Sequence, residues 1–114
     1  MSRSSLSILP GTVAFLALGA LTRGGRMHGF EILRWIEERS EGDLLVEEGA
    51  LYPALHRMEK QGWLDSDWAV SDKGRRARYY RITAQGRKAM RRESATWERY
   101  VRAVGKVVVG EGSA

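Results

Sequence analysis

Cysteine is missing from all 114 residues. That single absence removes disulfide frameworks, thiolate zinc sites and cysteine nucleophiles together. Histidine is nearly missing as well. His28 and His56 are the whole supply, so a metal site or a Ser/His catalytic set has little to draw on, and neither metal nor cofactor is expected. The carboxylate pairs Glu37-Glu38 and Glu47-Glu48 are sequence neighbours on stretches read as exposed, which is not an acid–base arrangement. No enzyme is expected. The apolar stretch from Leu6 to Leu21 is interrupted by Pro10, Gly11 and Thr12 and stopped by Arg23, short of the roughly 20 residues a membrane span needs. It runs into core-like material without the small-residue cleavage site of a signal peptide. It therefore reads as a buried helix of a cytoplasmic protein with no membrane partner.

Apolar residues make up 43 % and charged residues 29 %, the balance of one ordinary globular domain. Lys and Arg number 19 against 14 Asp and Glu, a net charge of +5 that makes a polyanion a natural partner. Pro10 suits the first turn of a helix, where its missing N–H has no role, and Val13 to Leu21 is apolar almost throughout. Thr22 to Arg26 breaks that helix. A second follows, with Phe30, Ile32, Leu33 and Ile36 as the inward stripe and Glu31, Arg34, Glu37, Glu38 and Arg39 on the wet side. His28 is expected to pack or hydrogen-bond at its start. Pro53 is tolerated only in a first turn, so a third helix starts near Gly49 to Ala50, turns Leu51, Leu55 and Met58 inward, and ends at the left-handed cap Gly62. Its opposite face carries Gly49, Pro53, His56 and Lys60, flanked by Tyr52 and Arg57.

The period then changes. Trp63 to Val70 and Ala77 to Ile82 read as two strands around the turn Ser71 to Arg76, a hairpin with a basic tip. Tyr79 and Tyr80 alternate, so one faces the core and the other solvent, with nothing in the pattern to choose between them. Thr83 is a good N-cap for a long last helix. Met90, Trp97, Val101, Val104 and Val108 form a heptad-like seam along it, and residues 110–114 should fray. Charge gathers from Ser71 to Arg92, where nine cations face Asp72 alone, a net of +8. Arg87 and Lys88 sit in the first turn of a helix, against the preference of its dipole.

Three helices followed by a hairpin is the order of a winged helix-turn-helix, a mainly α fold in which the third helix enters the major groove of DNA and the hairpin, or wing, grips its backbone. Residues 1–82 form that domain and residues 83–109 a long C-terminal helix, with 110–114 as a tail. Gly49 and Ala50 allow phosphates close, Tyr52, His56, Arg57 and Lys60 supply donors, and Lys73, Arg75, Arg76 and Arg78 supply the wing's charge. The segments Met27-His28-Gly29-Phe30-Glu31-Ile32, Glu48 to Glu59 and Gly74 to Gly86, in this order and spacing, resemble the PadR family of bacterial transcriptional regulators. Within it the chain is similar to the smaller subgroup with one C-terminal helix, found beside transporter permeases. The family pattern usually has Thr or Ser where this chain has Ala50, and Ser-Pro or similar where it has Glu47-Glu48.

The resemblance implies a homodimer that represses a promoter by binding a pseudo-palindromic operator in double-stranded DNA, with residues 83–109 as the dimerisation helix and parts of the N-terminal helix joining it in the interface. It also implies a small-molecule effector in some relatives, bound by an aromatic residue on that helix. Trp97 is thus either an interface anchor or a ligand plate. A winged helix used as a protein-interaction module, with no operator, is the rival reading; binding to DNA upstream of the gene discriminates the two.

Overall fold

The computed structural model describes residues 5–9 and 11–110, so the expectations for Pro10 and for the last four residues lie outside the described residues. The elements run α1 (Thr12–Gly24), β1 (Met27–His28), α2 (Gly29–Arg39), α3 (Glu48–Lys60), β2 (Leu64–Val70), β3 (Arg76–Ile82) and α4 (Ala84–Val108). The architecture is a mainly helical winged helix, and its hairpin belongs to a three-stranded antiparallel sheet, ordered β1-β3-β2. The extra strand is two residues long, with Met27 opposite Tyr80 and His28 opposite Tyr79. Its pairing is made by backbone groups, so side-chain periodicity carries no trace of it.

The core lies where α1, α2 and α3 meet the root of the sheet. Ala17, Leu18, Ala20 and Leu21 of α1 pack with Ile32 and Ile36 of α2, Leu51, Leu55 and Met58 of α3, and Leu64, Tyr80 and Ile82 of the strands. α2 differs from expectation at one residue. Its buried stripe is Gly29, Ile32 and Ile36 with Leu33 half buried, and Phe30 is 56 % exposed. Residues 29, 32, 33 and 36 hold one helical face, and Phe30 lies about 200° round the axis from Ile32.

α3 ends in a Schellman arrangement: Gly62 is left-handed at φ 83°, its N–H donates to the Glu59 carbonyl at 3.0 Å, and that of Trp63 donates to Met58 at 2.9 Å. Thr83 then starts α4. Its hydroxyl accepts from the Gly86 N–H at 3.0 Å and donates to the Gly62 carbonyl at 2.7 Å, which fixes the new helix against the end of α3. Gly86 is buried so closely that a Cβ would strike the Trp63 carbonyl oxygen. α4 leans on α1 through Met90, whose Cε lies 3.6 Å from where a Cβ on Gly19 would stand, and through Phe15 and Trp97, with ring centres 6.1 Å apart.

Candidate nucleic-acid interface

The alternation of the hairpin sorts its side chains into two faces. Opposed residues share a face, so Leu64 with Ile82, Ser66 with Tyr80, Trp68 with Arg78 and Val70 with Arg76 form the inner one. At the root this face is core: Leu64 and Tyr80 are both 1 % exposed, and Tyr80 is the inward member of the tyrosine pair. Beyond the core's edge it continues as a polar and then a cationic surface. The outer face carries Tyr79, with the Arg26 guanidinium 4.2 Å from its ring centre, and the ion pair of Arg26 with Asp67 at 3.0 Å.

Three side chains join α3 to both long strands. The Ser66 hydroxyl donates to Glu59 at 2.5 Å, and Arg78 donates through Nε to Ser66 at 2.9 Å and through Nη2 to Glu59 at 3.2 Å. The Ser66 hydrogen bond above all, with Arg78 and the nearby His56, holds the Glu59 carboxyl below its usual range despite the opposing effect of burial. Arg78, expected on the DNA, thus has intramolecular partners. Arg76 and Arg78 also stand over the Trp68 ring, at 4.9 and 5.7 Å.

α3 presents Gly49, Ala50, Tyr52, His56, Arg57 and Lys60 at the surface, while Lys73, Arg75 and Arg76 are exposed on the wing. Tyr52 is the most constrained of these. Its ring lies on the first residue of α2, and a Cβ on Gly29 would fall on its hydroxyl, 2.7 Å from Cζ and 2.8 Å from Cε1. Partial burial, reinforced by Glu48, raises the Tyr52 pKa above its ordinary value, so the phenol stays a neutral donor. His28 closes the same corner. It caps α2 by accepting the Glu31 N–H on Nδ1 at 3.3 Å, while Glu31 accepts the His28 N–H at 3.1 Å.

A groove of about 520 Å³ runs between the start of α2, Tyr52 and the wing. It brings the recognition-helix candidate Tyr52 together with Lys73, Arg75, Arg76 and Arg78; His56, Arg57 and Lys60 lie outside it. Phe30, Arg34 and Trp68 line it too and were missed in sequence. Their one legible signal was the i, i+4 spacing of Phe30 and Arg34. On α4, Met90 is half buried against the core, whereas Trp97, Val101, Val104 and Val108 form an exposed apolar stripe, with Trp97 37 % and Val108 72 % exposed. Among the described residues no helix is long and apolar enough to cross a membrane.

These features are those of the Transcriptional regulator PadR-like family, whose model matches residues 17–92, and the chain belongs to that family. It is 41 % identical over 71 residues to a transcriptional regulator of Mycobacterium tuberculosis, a match covering 61 % of this chain and 65 % of that protein. The chain spans less than two thirds of the length of the curated relatives it matches. Among solved structures it is similar to a transcriptional regulator from Clostridium thermocellum (TM-score 0.77, 32 % identity, 86 % of this chain and 94 % of that one). It is also similar to a PadR family transcription regulator from Clostridium difficile (TM-score 0.70, 29 % identity, 88 % and 100 %).

Proposed function

We propose that the protein is a cytoplasmic, non-enzymatic DNA-binding regulator that acts as a homodimer, repressing transcription from a pseudo-palindromic operator. The observation that carries this reading is the groove walled by α2, Tyr52 and the cationic wing, which lets helix and hairpin address one duplex together. Gly49 and Ala50 leave room for phosphates at the start of α3, Tyr52, His56, Arg57 and Lys60 face the base edges, and Lys73, Arg75 and Arg76 hold backbone. Arg78 acts by keeping the wing against α3 rather than by reaching the duplex.

The apolar stripe Trp97, Val101, Val104 and Val108 supports pairing of α4 with a second copy, since so much exposed valine on one helix is unfavourable in water. Met90 contributes from beneath by fixing α4 on α1. Two recognition helices would then enter successive major grooves about 34 Å apart. An effector, where one acts, is a small molecule that reaches the paired helices beside Trp97.

The test is a gel shift with duplex DNA from upstream of the gene, repeated over a salt series. Affinity should fall with a log–log slope of about −0.9 per phosphate neutralised. Replacing Arg75 and Arg76 together by Gln should flatten that slope by about two units while leaving site preference nearly unchanged. Absence of binding at low salt refutes the reading, and an unchanged slope refutes the assignment of the wing.

A further inference from the structure

We infer that the groove between α2 and the wing is a channel for one sugar–phosphate strand of the duplex, with Phe30 and Arg34 as the wall facing Trp68 and Arg76. The inference rests on the DNA-binding reading and extends it to α2, where neither Phe30 nor Arg34 has had a role.

Phe30 and Trp68 are 56 % and 54 % exposed, large rings outside the buried core. Each stands beside a guanidinium: Arg34 is one helical turn from Phe30, and Arg76 lies 4.9 Å from the Trp68 ring centre. Both walls therefore alternate an apolar plate with a cation. A nucleic-acid strand alternates in the same way, deoxyribose with phosphate, and aromatic plates with flanking cations are a recurrent means of holding it. Charge complementarity favours this occupant. Glu31 is occupied in capping α2 and Arg78 in bracing Glu59, which leaves Arg34, Lys73, Arg75 and Arg76 against Asp72. Tyr52, a neutral donor that lines the groove from α3, marks where the strand leaves the channel for the recognition helix.

The experiment compares wild type, Arg34→Gln, Phe30→Ala and, as a control on the outer face of the sheet, Arg81→Gln. Each full-length chain is titrated with the upstream duplex and with an unrelated duplex of equal length, at 50 and 200 mM salt. Because the channel holds backbone, Arg34→Gln should reduce the salt slope by about one unit on both duplexes, so the affinity ratio between the two salts shrinks about fourfold. Phe30→Ala should weaken binding to both several-fold with the slope kept, and Arg81→Gln should change neither. Binding should also quench tryptophan emission in wild type and less so in Trp68→Phe. If Arg34→Gln keeps the wild-type slope while Arg75→Gln/Arg76→Gln loses two units, the strand runs elsewhere: the channel is refuted and the DNA-binding reading stands. If wild type binds neither duplex in a salt-dependent way, the functional reading itself fails. Equal displacement of DNA by poly-glutamate at matched charge would show a general polyanion site and overturn the strand assignment.

Discussion

Replacing Gly29 by alanine should separate folding from recognition. The added methyl would lie on the Tyr52 hydroxyl and 2.7 Å from Cζ, where carbon–carbon contacts normally sit at about 3.5–4.0 Å, so the ring must withdraw by about 1 Å. The atoms met are the far end of the partly exposed Tyr52 side chain, not backbone, so the ring and not the main chain must give way. Moreover, exchanging glycine for alanine in a helix returns about 0.5–1 kcal/mol of backbone entropy. The melting midpoint should therefore move little. Operator binding should not be spared, because a hydroxyl displaced by that distance loses hydrogen-bond geometry. The loss of one specific contact is about 1–3 kcal/mol, or roughly 5- to 150-fold in Kd. A double-mutant cycle with Tyr52→Phe isolates the effect: with the hydroxyl gone, Gly29→Ala should cost markedly less. Gly86→Ala is the contrast, since its methyl meets the Trp63 carbonyl, a backbone atom unable to swing aside. That change should destabilise the fold by about 1–3 kcal/mol. Full operator affinity in a folded Gly29→Ala protein would refute the argument that this contact positions Tyr52.

Acid should weaken the tie between α3 and the wing. The folded-state pKa of Glu59 is depressed, so its contribution is present above the unfolded value of about 4.3 and is lost as pH falls through the lower folded one. Ser66→Ala should shrink the corresponding slope of melting temperature against pH, and an unchanged slope would dismiss Glu59 as its source. Trp97→Ala should dissociate the proposed dimer, at about 3–5 kcal/mol per buried side chain, giving the mass of one chain in sedimentation. A variant that stays dimeric and binds operator but ignores effector would instead make Trp97 a ligand plate. Arg78→Met should lower operator affinity without reducing the salt slope, as expected of a brace. A drop of one unit would return Arg78 to the phosphates.

The helices and the hairpin were legible because each has a local cause, although α3 starts at Glu48, ahead of the expected Gly49 to Ala50, and carries Pro53 past its first turn. Leu51, Leu55 and Met58 mark one face of α3, Thr83 and Gly62 mark ends, and His28 caps α2 in the place its position indicated. Tyr79 and Tyr80 were not separable, since alternation alone leaves open which side is inward. That is decided by Tyr80 sharing a face with Ile82 and the core. Phe30 misled because its hydrophobicity promised burial while its angular position denied it. The groove was beyond reach for another reason. It joins residues more than forty positions apart, from Phe30 to Arg76, and no period within one element encodes a meeting of two. Arg78 shows the same limit: its charge was visible, while its partner Glu59, nineteen residues upstream, was not.

The two-residue strand β1 joins the wing to the chain just before α2, and the Glu59–Ser66–Arg78 junction joins it to α3. The hairpin is thus riveted at both flanks of its base, and the jaw it makes with α2 is set before the proposed duplex arrives. Little conformational freedom is then left to surrender on docking. Such a jaw is also a poor valve: in a dimer of the proposed kind, a signal received along α4 reaches the reading heads by changing their separation and tilt, as calipers are adjusted, and not by slackening either one.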